Sequence, residues 1–229
     1  MNHLTELVVR GYESLRKRGV RQSFGIGWAY LQDYWFDLHY GTDTMRHVAM
    51  EDLIASEDKV NHGYGYQPTQ AKAFAALLNE LRLPKEYGFV DFGCGKGRVL
   101  LLAAKYGFQA VRGVEFSHAL CELAKSNIER YSRFVLVVAT ISIFEGNAED
   151  YVIQRDENIF YFFNPFDDVV FKTVLDRLQM SVSENPRPIY VIYRNPLYRQ
   201  VLEHAELFQC RKEYRIASSH FIVYSNMPT

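Results

Sequence analysis

Phe89-Val90-Asp91-Phe92-Gly93-Cys94-Gly95-Lys96-Gly97-Arg98-Val99-Leu100-Leu101-Leu102 is the stretch that decides the fold. Phe89 to Phe92 predict a short buried strand, and Val99 to Tyr106 predict a helix packed back on it. Three glycines lie between them. Glycine admits positive φ and has no Cβ, so the backbone can turn sharply and approach a ligand closely. The first amides of the following helix then stay available to bind that ligand. A strand, a glycine-rich turn and a helix in this order build a ligand pocket at the carboxyl end of the strand.

Outward from this loop, strands and helices alternate. Ala110 to Glu115 predict a strand ending in an acid, and Ser117 to Tyr131 a helix with Leu120, Leu123, Ala124 and Ile128 inward. The apolar run Phe134 to Phe144 contains a third strand, followed by the loop Glu145-Gly146-Asn147-Ala148-Glu149-Asp150. Ile159 to Phe163 predict a buried strand that stops at Asn164-Pro165-Phe166. A helix over about 168–183, a strand over 188–193 and a helix over about 197–205 come next, and two last strands near 207–214 and 221–224 are close enough to form an antiparallel hairpin. The alternation predicts an α/β fold, a doubly wound and mostly parallel seven-stranded sheet with its ligand site at the strand carboxyl ends. Upstream, Gly63-Tyr64-Gly65-Tyr66-Gln67-Pro68-Thr69 breaks any regular element, and Thr69 is placed to cap a helix over 70–81. That position lets Tyr66, Gln67 and Thr69 fold over the bound ligand.

Composition narrows the function. At 229 residues and 48% hydrophobic content, the chain holds one full α/β domain plus an extension. Its formal net charge of -1 gives no overall attraction to nucleic acid or to an anionic membrane, so a nucleic-acid substrate is disfavoured. Cys94, Cys121 and Cys210 are far apart and form no C-x-x-C, which argues against a disulfide framework or a zinc knuckle and points to a reducing, cytoplasmic setting. No His pair has metal spacing, so no metal is expected. No apolar run approaches the roughly 20 residues of a membrane span, and the N-terminus lacks the order of a secretion signal. Residues 1–62 read as a helical extension and 63–229 as the main domain. Within the extension, Leu4, Leu7, Val8, Tyr12 and Leu15 form one helical stripe, followed by the basic cluster Arg16, Lys17, Arg18 and Arg21 and the aromatic stretch Trp28 to Phe36. Docking on the main domain with the charges in water is the favoured reading; peripheral contact with a membrane is the alternative.

The loop details separate candidate cofactors. The dinucleotide fingerprint G-x-G-x-x-G requires a glycine where Arg98 stands, and a P-loop requires G-K-[ST] where Lys96 lies inside the glycines. Asp91, two residues before the first glycine, can accept hydrogen bonds from a ligand ammonium, which a dinucleotide lacks. Glu115 at the second strand end is placed to take both hydroxyls of a ribose.

Together, Asp91-Phe92-Gly93-Cys94-Gly95-Lys96-Gly97, Glu115, Asn147-Ala148-Glu149 and Asn164-Pro165-Phe166 resemble the four successive motifs of class I S-adenosylmethionine-dependent methyltransferases. The resemblance spans about residues 63–229. Tyr66-Gln67-Pro68-Thr69 is similar to the segment before the first motif in lysine methyltransferases of this fold, of both the histone and the mitochondrial type. The wider pattern, including Tyr40-Gly41-Thr42-Asp43-Thr44, resembles a group of bacterial methyltransferases. The resemblance implies S-adenosylmethionine as cofactor, with Asp91, Gly93, Cys94, Gly95 and Gly97 around its methionine part and Tyr66 and Thr69 over it. It implies Glu115 on the ribose, Phe116 on the adenine, and Asn147 with Ala148 at the adenine edge. Asn147 stands where an Asp is common, and its carbonyl oxygen supplies the needed acceptor.

Methyl transfer from a sulfonium is an in-line displacement, so the protein's work is to align a nucleophile and exclude water. Asn164, Pro165 and Phe166 are the candidate catalytic residues: the Asn side-chain oxygen and the carbonyl leaving the strand can accept hydrogen bonds from a nitrogen nucleophile, and Phe166 can pack on it. The match to the Asn-Pro-Pro-aromatic motif of amino methyltransferases lacks one proline. His62, Tyr64, Tyr66, Asp167, Tyr193 and Arg194 are further candidates around an acceptor. The reading is N-methylation of a protein lysine or another amine. Its alternatives are O-methylation of a small molecule or glycan, and a cofactor-binding interaction module without catalysis. Neither the acceptor nor the oligomeric state is specified by the sequence.

Overall fold

The computed structural model describes residues 31–48, 65–135 and 139–227. The N-terminal stripe, the basic cluster at residues 16–21, His62, Tyr64 and the 62/63 boundary all lie outside the described residues. Residues 31–40 are helical (α1), and Val48 makes an isolated antiparallel bridge with Tyr66. Then follow α2 (Ala71–Leu81), β1 (Gly88–Phe92), α3 (Arg98–Tyr106), β2 (Ala110–Glu115), α4 (His118–Ser132) and β3 (Thr140–Glu145). A short 3-10 turn (Ala148–Asp150) precedes β4 (Glu157–Phe162), α5 (Asp168–Glu184), β5 (Tyr190–Arg194), α6 (Arg199–Glu203), β6 (Cys210–Ile216) and β7 (Ser219–Ser225).

The seven strands form one sheet in the order β3-β2-β1-β4-β5-β7-β6. The first five pair in parallel, while β7 runs antiparallel to both β5 and β6. This is the doubly wound sheet with a terminal hairpin that the alternation predicts. The order reverses at β1 and β4, whose carboxyl ends therefore open a crevice, the place where such sheets bind ligands.

Strand periodicity divides the interior in two. In β1 and β4, Phe89, Ile159 and Tyr161 face a core shared with Phe74 and Leu77 of α2 and Leu100 and Leu101 of α3. Val90, Phe92, Phe160 and Phe162 face the other core, with Phe171 and Val174 of α5. Side chains alternate along a strand, so a central strand must be apolar on both faces. All five residues of β1 are buried. Asp91 is the one charged residue among them, and it sits beside the glycine turn.

Local signals end the elements. Gly97 caps the N-terminus of α3 at φ 80, and Gly107 its C-terminus at φ 110. Both positions need the left-handed conformation that glycine adopts without strain. The Ser117 hydroxyl accepts from Leu120 N at the start of α4, and Asp167 accepts from Val170 N at the start of α5. The sequence predicts that Thr69 caps α2, and in the structure it does not. Gln70 occupies the cap position without a side-chain bond, and the α2 amide of Ala71 donates to Asp33 Oδ1 at 3.0 Å. A carboxylate from α1, remote in sequence, outcompetes the local hydroxyl because Thr69 is turned inward to Tyr161 Oη at 2.9 Å.

The described part of the extension, residues 31–48, is fastened to the domain. Phe36 belongs to the main core and lies near Tyr131, with ring centroids 6.0 Å apart.

Candidate active site

The glycine turn is shaped by its own backbone. Gly93, Gly95 and Gly97 have φ of 74, 52 and 80. Gly93 N and Cys94 N donate to Val114 O, at 2.8 and 3.1 Å, which ties the turn to the end of β2. A Cβ at Gly93 would overlap Pro165, and one at Gly95 would overlap the Tyr66 ring. The glycines are thus required twice, for backbone conformation and for the close approach of the segments on either side.

A cavity of about 250 Å³ opens at this turn, between the ends of β1, β2 and β4. Asp91, Gly93, Cys94, Gly95, Glu115 and Phe116 line one side; Asn147, Ala148 and Glu149 come from the loop after β3. Asn164, Pro165 and Phe166 close it from the exit of β4, and Tyr66, Gln67 and Thr69 cover it from the segment before α2. Gly97 does not line the cavity. It caps α3 and packs against Ala124, whose Cβ lies 3.2 Å from where a Gly97 Cβ would be.

Two buried carboxylates set the electrostatics. Glu115, 4% exposed, accepts from Gly95 N through Oε2 at 2.8 Å and from Ser117 N through Oε1 at 3.0 Å. Its carboxylate therefore braces the glycine turn as well as facing the cavity, a dual use that the sequence does not indicate. Asp91 is 3% exposed. Burial and then the Glu115 charge hold its carboxyl well above the usual carboxylate range. A buried acid of this kind is stabilised by a cation or by several hydrogen-bond donors supplied from the cavity. The Cys94 thiol is likewise pushed up, by burial and then by Glu115 and Asp91. It stays protonated and is a small filler beside the turn, not a nucleophile.

Asn164 adopts φ 46, so the chain leaves β4 in a left-handed turn. Its Oδ1 accepts from Tyr193 Oη at 2.8 Å and from Leu197 N at 3.3 Å, and its Nδ2 donates to Asn195 O at 2.9 Å. The sequence reading assigns that side-chain oxygen to a substrate nitrogen; in the structure it is committed to the β5 exit. Asn and Tyr have few groups to offer, and a polar side chain at a strand end is drawn to the neighbouring turn's unpaired amides. Phe166 is buried, with its ring edge-on to Phe92 and Phe162 at 6.5 and 6.1 Å. Asp167 and Tyr193 do not line the cavity. Asp167 caps α5, and Tyr193 lies at 1% exposure behind Asn164.

Several residues that hold the site together are not apparent from the sequence. Arg98, 1% exposed, donates through Nε to Thr69 O at 2.8 Å, through Nη1 to Thr44 Oγ1 at 2.6 Å and through Nη2 to Asp33 Oδ1 at 2.6 Å. Asp37 lies 3.8 Å from it and accepts from Thr42 Oγ1, Thr44 Oγ1, Thr44 N and Met45 N. Lys96, also 1% exposed, pairs with Asp43 at 3.1 Å. Asn127 Oδ1 accepts from Asp43 N at 2.8 Å, while its Nδ2 reaches Asp43 O and Lys96 O. Tyr66 Oη donates to Thr44 O at 2.6 Å. Residues 33–44 thereby form a strap across the back of the glycine turn. The signal present in the sequence is two basic residues, Lys96 and Arg98, inside an otherwise apolar and glycine stretch: a charge placed there must find a partner.

On the exposed side of α4, His118, Glu122 and Glu145 bring ligand atoms within 4.8 Å of one another. The group is already internally paired: His118 Nδ1 lies 2.7 Å from Glu145 Oε1, and Lys125 bridges Glu122 and Glu145 at 2.7 and 3.6 Å. No helix among the described residues is long and apolar enough to cross a membrane.

Comparison with known proteins agrees with this architecture. Residues 48–142 match the family of the histone methylation protein DOT1. Among curated proteins, none matches the sequence. An RNA methyltransferase from Salinibacter ruber, solved in complex with S-adenosyl-L-homocysteine, superimposes with a TM-score of 0.51 at 16% identity, over 69% of this chain and 92% of that one. The yhhF protein of Escherichia coli, described as a methyltransferase, gives 0.54 at 14% identity, over 72% and 94%. The precorrin 8W decarboxylase of Methanobacterium thermoautotrophicum gives 0.51 at 15% identity, over 70% and 92%. The fold is the Rossmann-like methyltransferase fold. A shared fold does not set the reaction, which depends on the residues of the site.

Proposed function

We propose that this chain is an S-adenosylmethionine-dependent methyltransferase acting on a nitrogen acceptor, a protein lysine or another amine. The observation that carries the reading is the pair of buried carboxylates, Asp91 and Glu115, opening into one cavity beside a turn of three positive-φ glycines. Such a cavity suits a ligand that is cationic at one end and rich in hydroxyls at the other. The carboxyl of Asp91, held high by burial and by Glu115, gains a partner when an ammonium docks there. Glu115, already oriented by Gly95 N and Ser117 N, is placed for a ribose. Phe116, Asn147 and Ala148 suit an adenine: a ring to lie against and polar edges to read it.

S-adenosylmethionine supplies, when bound, an electrophilic methyl on a sulfonium. The protein's own residues orient and dry the reaction site. Tyr66 packs on Gly95, and Pro165 packs on Gly93, so water is excluded from both walls. Asn164 holds the β4 exit rigid through its bonds to the β5 exit, which leaves the main-chain carbonyls of that turn as the acceptors that align a nucleophile. An amine must reach the site neutral, since only the free base has a lone pair, and an apolar wall such as Phe166 favours the uncharged form. The nitrogen acceptor is supported further by the DOT1 match over residues 48–142 and by the position of Asn164-Pro165-Phe166.

Titration calorimetry with S-adenosylhomocysteine, followed by transfer of a tritiated methyl group into fractionated cell extract, tests this reading. Binding, with label in acid-stable, amine-linked form on protein or in the small-molecule fraction, is the expected result. Absence of S-adenosylhomocysteine binding overturns it, and label recovered in a methyl ether, or released by mild base as from an ester, instead of in a methylated amine moves the acceptor from nitrogen to oxygen.

A further inference from the structure

A second cavity adjoins the first. Asp33, His47, Gln67, Phe163, Arg194 and Asn195 are among its lining residues, and it shares Gln67 and Phe163 with the cavity at the glycine turn. Its wall contains a buried cation with no counter-ion among the described residues. Arg194 is 6% exposed, and no carboxylate pairs with it among the described residues. Its Nη1 makes only two long hydrogen bonds, to Pro68 O and Thr69 Oγ1, both 3.3 Å, and its Nε has no partner. The guanidinium carbon lies 4.0 Å from the centroid of the Phe163 ring. The one acid among the described lining residues, Asp33, is committed through Oδ1 to Arg98 Nη2 and Ala71 N.

Burying an unpaired charge is costly, and carbonyl and hydroxyl oxygens at 3.3 Å do not neutralise a guanidinium. An arginine held over an aromatic ring at the wall of a cavity has the chemistry that recognises a planar carboxylate or a phosphate. Two neighbours show why the position bears on the reaction. Thr69 and Phe163 line the cavity at the glycine turn, and Arg194 touches both from the second cavity.

We propose that the second cavity is an acceptor subsite, and that Arg194 binds an anionic group, carboxylate or phosphate, carried by the methyl acceptor. The acceptor part of this inference rests on the methyl-transfer reading of the adjoining cavity. The substrate class it names is an amine that also bears an anion, held so that the amine reaches the β4 exit while the anion sits on Arg194.

The test uses the full chain and two probes, inorganic phosphate and acetate, titrated separately and followed by calorimetry. Saturable binding of one of them in the range of about 1–10 mM is the expected result. Tighter phosphate binding assigns a phosphorylated acceptor, and tighter acetate binding a carboxylate. Arg194→Gln should weaken that binding by at least about 10-fold, and Arg194→Lys, which keeps the charge but not the fork, by less. Because Arg194 also braces Pro68 and Thr69, a second variant is needed: Gln67→Glu adds a carboxylate at the rim of both cavities and should weaken anion binding several-fold. The inference is overturned if neither anion saturates wild type up to about 50 mM, or if folded Arg194→Gln or Gln67→Glu binds as wild type does. S-adenosylhomocysteine, titrated into the same samples, separates the two failures. Its binding without anion binding sinks the subsite and leaves the methyl-transfer reading standing; anion binding without it leaves an anion site and sinks the reading.

Discussion

Replacing Asp91 by Asn should make the ligand-free protein more stable and its cofactor affinity much lower. The side chain is 3% exposed in the middle of the sheet, and its carboxyl is held well above the usual range by burial, with Glu115 adding to the effect. Below the pKa of the unfolded chain, Asp91 is neutral in both states and costs nothing. Between that value and the raised folded value, the folded state keeps a proton that the unfolded state has lost, so stability falls as pH rises through this window. Above it the full cost remains. Asn, nearly the same shape, removes the charge and hence the decline. Each kcal/mol recovered raises Tm by about 2–4 °C for a chain of this size. In the complex the balance reverses, because a buried carboxylate facing an ammonium is worth about 2–5 kcal/mol when one partner is removed. S-adenosylhomocysteine should therefore bind Asp91→Asn about 30-fold to several thousand-fold more weakly. In wild type, binding in the same pH window should release a proton, so affinity increases as pH rises. Calorimetry in two buffers of different ionisation enthalpy measures that proton, and thermal melts across pH measure the decline. A variant that melts no higher than wild type and binds S-adenosylhomocysteine equally well would refute the placement of the ligand ammonium at Asp91.

The strap makes further predictions. Arg98→Met leaves Asp33 buried without its cation and should cost about 3–5 kcal/mol, lowering Tm by roughly 6–20 °C; Arg98→Ala and Asp33→Ala combined in a double-mutant cycle should couple by about 1–3 kcal/mol, read by urea unfolding, and additive effects would contradict the pair. Gly95→Ala should abolish S-adenosylhomocysteine binding, since its Cβ would enter the Tyr66 ring at φ 52, whereas Gly41→Ala, at φ 65 with nothing within 4 Å, should cost only about 1 kcal/mol of backbone strain. Similar affinities in the two variants would mean that the turn does not contact the ligand. Deletion of residues 1–40 removes Asp33, Phe36 and Asp37 and leaves Arg98 unpaired in the core; the truncated chain should lose its cooperative melt, and an unchanged melt would show that the strap is dispensable.

The strap also bears on how the site is built. Arg98 occupies the position that distinguishes this loop from a dinucleotide fingerprint and Lys96 the one that distinguishes it from a P-loop, and each is spent on an acid of residues 33–43. Tyr66, which covers Gly95, is held by the carbonyl of Thr44. The wall over the cavity therefore depends on a segment that precedes the sheet, and the ion pairs behind the turn set where that wall stands.

Most of the sheet is legible in the sequence because it is local. Short continuous apolar runs mark β1 and β4, glycines at positive φ mark the turn and both ends of α3, and Ser117 and Asp167 mark helix starts. Strand-helix alternation then leaves few topologies. The cavity residues are legible for a related reason: Asp91, Glu115, Asn147 and Asn164 all stand at strand ends or just beyond them, and parallel strands bring those ends together on one side. What the tertiary structure alone decides is how each polar group spends its hydrogen bonds. Thr69 looks like a helix cap until Tyr161 and Arg194 claim it, and Asn164 looks like a substrate acceptor until Tyr193 and Leu197 do. Arg98 looks like a missing glycine until Asp33, sixty-five residues earlier, is set against it. A side chain's partners across such separations are chosen by the packing of whole elements, and no spacing along the chain records them.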